Sequence, residues 1–241
     1  MQVRALISAV ALVLAVAGST ALADEKLDAV EKEIVQKWKD IKSMTAKMNM
    51  NAESEQGGAQ RKTTMACTIE YLRQGDKMLS RLDGEMKNSY KMGDNEQSMT
   101  IPTMTISDGE IEHTLMEREG QKMCVKTKAQ ANSVTGEAMF KFLREHYDLS
   151  LASDEEIDGD KCWVVEAKPK ATARPGEPAK TCYYFRQKDG ATVRIVAYDA
   201  DGKPAMTTNF TDIKLNVDLD PKRFEFKLPE GVREMDMTNR P

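Results

Sequence analysis

Only two histidines, His113 and His146, occur among 241 residues, and none of the four cysteines is spaced as Cys-x-x-Cys. That leaves little from which to build a zinc centre or a dithiol redox site. Nothing matches a Gly-x-Ser-x-Gly elbow, a His-Glu-x-x-His pair or a phosphate-cradling glycine loop, so an enzyme reading has no motif behind it, and the expectation is a non-catalytic protein without a cofactor. A basic excess is missing too. The 35 Lys and Arg are set against 39 Asp and Glu, for a formal charge of −4 spread along the chain, which excludes a phosphate-gripping patch for nucleic acid. Aromatics make up only 6%. No apolar run reaches the roughly 20 residues of a membrane-spanning helix.

The longest apolar run, Ala5 to Ala17, stands at the start of the chain, after Arg4 and before Ala21-Leu22-Ala23. Charged n-region, short h-region and small-residue cleavage site read as a secretory signal peptide over residues 1–23. The expected mature chain therefore begins near Asp24, is periplasmic or secreted, and carries no Cys at the cleavage point to hold a lipid. Residues 24–241 lie within the size range of one all-β domain.

An exported chain with an even number of cysteines favours disulfides. Cys162 alternates with Val164 and Glu166, and Cys182 with Tyr184 and Arg186, so both project from the more polar face of one expected hairpin. Cys162–Cys182 is the first choice of bond. By elimination Cys67 would meet Cys124, although Cys67 sits on an apolar strand face and Cys124 on a polar one.

Leu27, Val30, Ile34, Val35, Trp38 and Ile41 recur at three- and four-residue intervals and predict an amphipathic helix. From Ser43 the period changes to two. Met44, Ala46, Met48 and Met50 alternate with polar residues, and alternation continues through Thr63–Leu72, Lys77–Asp83, Glu85–Lys91, Gln97–Ile106 and Glu110–Glu117, with Gly75, Gly84 and Gly93 at breaks. A second amphipathic helix is expected over Thr135–Tyr147, with Met139 and Phe142 on its packed side and Phe140 on the far side. Strands resume to Val217, interrupted by a Pro-rich hairpin loop at Lys168–Lys180 and by an acidic, solvated turn at Ser153–Asp160. The fold class is therefore mainly β (α+β): one large curved antiparallel sheet with two helices on its apolar face.

Methionine is the one residue in visible surplus, with 16 copies. Unbranched and polarizable, it fills irregular cores and repacks around variable ligands. Met44-x3-Met48-x-Met50 also offers thioethers suited to Cu(I), without a converging His or Cys in sequence.

The helix ending Trp38-Lys39-Asp40-Ile41-Lys42-Ser43, the strand with Met48 and Met50, the run Glu70-Tyr71-Leu72-Arg73-Gln74-Gly75-Asp76-Lys77-Met78, and the closing Phe224-Glu225-Phe226-Lys227-Leu228-Pro229-Glu230-Gly231-Val232 resemble the LolA/LolB-like lipoprotein localisation superfamily. The resemblance implies an incomplete β-barrel whose helix-covered concavity holds acyl chains of lipids or lipoproteins, with an envelope membrane protein as a further partner and the helices as plug or lid. On that reading the cavity candidates are Met48, Met50, Met65, Ile69, Tyr71, Met99, Leu115, Met139, Phe142, Trp163, Val165 and Phe185. The alternative is an envelope sensor or interaction module that fills the half-barrel with its own side chains.

Overall fold

In a computed structural model, the structure describes residues 24–118, 120–129, 136–170 and 177–239. The expected signal peptide over residues 1–23, Thr135 at the expected start of the second helix, and part of the Pro-rich loop lie outside the described residues.

Helix α1 runs over residues 24–39. Its three- and four-residue apolar spacing points Leu27, Ile34 and Trp38 at the sheet, where all three are buried. Two contacts fix its far end. Trp38 Nε1 donates to the Gly190 carbonyl at 2.9 Å, and the Arg73 guanidinium donates to the Trp38 and Lys39 carbonyls at 3.1 and 3.3 Å, which satisfies carbonyls that the helix itself cannot pair.

Six strands follow in a meander: β1 (Ser43–Gln56), β2 (Ala59–Gln74), β3 (Lys77–Met92), β4 (Asn95–Ser107), β5 (Ile111–Arg118) and β6 (Gln121–Lys128). Helix α2 (Gly136–His146) leads to β7 (Tyr147–Leu151), β8 (Glu155–Ile157), β9 (Asp160–Pro169), β10 (Lys180–Arg186), β11 (Thr192–Tyr198) and β12 (Pro204–Leu215). A 3-10 turn (Pro221–Phe224) and β13 (Arg233–Asp236) complete the chain. All strands join one sheet in the order β13-β6-β5-β4-β3-β2-β1-β12-β11-β10-β9-β7, with β8 paired to β9. It is mostly β, curved and unclosed, the architecture expected of an incomplete barrel. Every pairing is antiparallel except β13 with β6, which is parallel.

Three local readings are corrected. Gly84 does not break a strand: β3 passes straight through it, with Gly84 opposite both Cys67 and Thr103. Ser153–Asp160 is not only a solvated turn, since Glu155–Ile157 pairs back on Asp160–Cys162. In α2 the buried side carries Gly136, Phe140 and Leu143, spaced i, i+4, i+7. Phe140 is fully buried, its ring 5.6 Å from that of Phe185. Phe142 is 37% exposed instead and stacks on His146.

The helices cover one face of β7, β9, β10, the end of β12 and the start of β1. This inner face holds a core of Ile34, Trp38, Met44, Phe140, Val165 and Phe185, with Tyr71, Met139 and Trp163 packed against it. Across β9–β11 a second core occupies the outer face, built from Ile157, Cys162, Val164, Cys182, Tyr184, Val193 and Val196.

Over β2–β5 the outer face is crossed by the chain after β12. Asn216 holds the start of this strap, its amide donating to the Ser43 carbonyl at 2.8 Å and its side chain accepting from the Lys42 amide at 2.7 Å. Asp220 caps the 3-10 turn, Arg223 grips Glu70 through two bonds of 2.9 and 2.7 Å, and Phe224 is buried. Phe226 stacks on His113 at 4.3 Å. The strap ends as β13 on the free edge of β6.

Candidate functional site

Residues directly opposite one another in an antiparallel sheet share a face, so the register sorts the inner surface into rows. Met44 on β1 packs in the helix-covered core, which marks its side as the inner one. Moving along β1 from there, the next inner rows are Ala46–Ile69–Leu82–Thr105–Thr114–Val125, then Met48–Cys67–Gly84–Thr103–Met116–Met123, then Met50–Met65–Met86–Ile101. Beyond them come Thr63–Asn88–Met99 and Arg61–Tyr90–Gln97 at the strand tips.

Seven methionines from six strands therefore converge on one stretch of surface: Met48, Met50, Met65, Met86, Met99, Met116 and Met123. None belongs to either buried core. Most are half-buried, and Met123 is exposed. The crease at Gly84 shapes the floor. A Cβ there would lie 2.1 Å from the Ala66 carbonyl oxygen and 2.5 Å from Cys67 Cα, so β3 folds over β2 more closely than any side chain would permit.

Of the residues singled out in the sequence, Met48, Met50, Met65, Ile69 and Met99 lie in these rows, and Tyr71 is one row nearer the helices. Trp163, Val165, Phe185 and Met139 are elsewhere, in the helix-covered core, where they fill the space between sheet and helices. Leu115 is on the outer face, opposite Cys124 and in line with His113 beneath the strap. Met86, Met116 and Met123 escaped the sequence reading. Their signal was the alternation Leu82, Met86, Asn88 running unbroken through Gly84 and carried by pairing into β5 and β6.

The expected disulfides are not those of the structure, in which all four cysteines are free and buried. Cys182 stands opposite Glu166 while Cys162 stands opposite Arg186, four residues further along β9. At about 3.3 Å per residue that offset is about 13 Å, against a limit of about 7 Å between Cα atoms for a bridge. Cys67 and Cys124 lie on β2 and β6, on opposite faces of the sheet. Met44, the third thioether of the β1 set, is buried under α1, away from Met48 and Met50. Among the described residues no three of His, Cys, Asp and Glu gather as metal ligands.

Three titratable groups of the inner face are shifted by burial. Burial, then the nearby Cys67 and Glu112, pushes the Tyr71 phenol up to about 12. Burial and Asp83 push the Cys67 thiol up to about 11, which leaves it protonated and unreactive at neutral pH. Glu112 on β5 is raised by burial. At the tips an open depression of about 970 Å³ is lined by Arg61, Thr63, Asn88, Tyr90 and Met99, with the Arg61 guanidinium over the Tyr90 ring at 5.8 Å.

No protein-family model matches the chain. An uncharacterized protein of Methanocaldococcus jannaschii is 23% identical over 211 residues, 86% of this chain, and the chain spans about half (53%) of that relative's length. A crystal structure of an uncharacterized conserved protein from Thermus thermophilus shares the fold, with a TM-score of 0.53 and 16% identity over 89% of this chain and 98% of that one. The solved structures similar to this chain also include a LolA superfamily protein from Nitrosomonas europaea, with a TM-score of 0.29 and 13% identity over 81% of this chain and 97% of its own.

Proposed function

We propose that this is an exported, non-catalytic carrier of acyl chains, working in the periplasm or outside the cell, with residues 24–241 acting as one unit. One observation carries the reading: half of the inner face is covered by helices and filled, while the other half presents thioethers from six strands with no element of the described residues over them. Burial of alkyl chain against that surface would supply about 0.8 kcal/mol per methylene group. Methionine side chains repack around chains of different length and bend. The resemblance of Glu70–Met78 and of the closing Phe224–Val232 to the LolA/LolB-like superfamily supports the same function. Because Trp163, Val165 and Phe185 are packed against the helices, the cargo lies beside α1 and α2, which act as a fixed wall and not as a plug.

Gently purified protein examined by native mass spectrometry is expected to carry a lipid adduct, and a fluorescent fatty acid is expected to bind. Changing Met50, Met65 and Met86 together to Ser should weaken that binding at least about tenfold, about 1.4 kcal/mol, with the secondary structure intact. Protein free of lipid that also ignores the probe would sink the carrier and leave the interaction-module reading.

A further inference from the structure

Two rows closer to the helices than the nearest methionines, beyond the Ile69–Leu82–Val125 row, the inner face changes character. Tyr71, Ser80, Ser107, Glu112 and Thr127 stand directly opposite one another on β2 to β6, so five strands contribute a hydroxyl or a carboxylate to a single transverse line. Ser107 is buried and its Oγ accepts from the Gly109 amide at 3.2 Å, which leaves its hydroxyl hydrogen to donate elsewhere. Glu112 is half-buried. Burial is the sole cause of its shift, and among the described residues no cation pairs with it. Its carboxylate nevertheless reaches the Tyr71 phenol electrostatically, three strands away, which the curvature of the sheet allows.

We propose that this face takes an amphiphile with a protonated amine head group, the ammonium received by Glu112 within the Tyr71–Ser80–Ser107–Glu112–Thr127 row and the alkyl chain laid along the methionine rows. The proposal rests on the acyl-chain reading above and adds the chemistry of the head. An ammonium supplies several donors to a row of acceptors and pairs the Glu112 carboxylate, which has no cationic partner among the described residues. A carboxylate or phosphate head would instead meet a like charge in a partly dehydrated setting. A calcium ion needs six or more oxygens, and a single carboxylate among hydroxyls offers too few. From Glu112 the same face of β5 continues to Thr114 and Met116, about 7 and 13 Å on. A chain leaving the head thus runs first over the row of Ile69, Leu82 and Val125 and meets the thioether band toward its far end. Arg61, a cation of the inner face at the tip of β2, lies at the other end of the band and is exposed.

The test compares dodecylamine with dodecanoate by calorimetric titration of the full mature chain, below micelle formation. Wild-type protein should bind the amine at least about tenfold more tightly. Glu112→Gln keeps the shape and removes the charge, and should bring the two ligands within about threefold of each other, with an unchanged thermal midpoint. Arg61→Gln should leave the preference as in the wild type. Equal or tighter binding of dodecanoate to wild type, or an unchanged ratio in Glu112→Gln, overturns the proposal while leaving the carrier standing. Binding of neither ligand removes the carrier itself and the head-group assignment with it.

Discussion

A methyl group is missing where β2 and β3 come closest. Gly84 sits opposite Cys67 with its absent Cβ inside the van der Waals envelope of Ala66 and Cys67 backbone, so the crease exists only for glycine. Gly84→Ala should cost about 3 kcal/mol, at the upper end of overpacking effects because backbone and not a flexible side chain must yield. The measurement is the urea midpoint at constant m-value, and a loss under about 1 kcal/mol would mean that the sheet relaxes freely there. The same residue shows where residue-level reading stops. Gly84 looks like its neighbours Gly75 and Gly93, which do sit in turns at positive φ. Only the unbroken alternation on either side distinguishes a crease from a turn. The cysteines failed for a related reason. Alternation assigns Cys162 and Cys182 to one face, but their four-residue offset is a matter of register, set by the length of the loop between β9 and β10.

Among the elements, the helices and most strands were legible because each repeats a pattern over several turns or pleats. The strap was not. Phe224 and Phe226 are isolated apolar residues in a polar run, without a period to betray that one plugs the outer face of β3 and the other stacks on His113. Its anchoring is specific even so: Glu70 is only 8% exposed and receives the Arg223 fork, a charge-assisted pair whose geometry fixes the turn on β2. Phe224→Ala is expected to destabilise by about 3–5 kcal/mol. Lys227→Ala on the exposed side of the same strap should change stability by less than about 0.5 kcal/mol. Chemical denaturation of the two variants checks both values. Hydrogen exchange should also show β13 and the paired amides of β6 losing protection in Phe224→Ala, whereas retained protection would mean that β13 holds its edge without the rest of the strap.

At the scale of the molecule one sheet serves two unlike halves. Both buried cores lie on the β9–β11 side, while β3–β5 present half-buried methionines on one face and the strap on the other. Local stability follows buried apolar contacts. Amides of β9–β11 should therefore exchange more slowly than those of β3–β5 by at least about tenfold, a difference of about 1.4 kcal/mol, and a bound amphiphile should narrow the gap. Uniform protection across the sheet would contradict a division into scaffold and binding half. The two halves meet at β1, paired on one side with β2 and on the other with β12. That seam also has a history in time. During synthesis β1 and β2 emerge together, but roughly 130 residues must follow Gln74 before β12 begins at Pro204, on the order of 10 s at ribosomal rates. Throughout that interval one edge of β1 stands unpaired beside its methionines, a sticky template for other chains. On the proposed export reading, passage through a narrow pore imposes the same wait again, and β1 crosses with that edge still open.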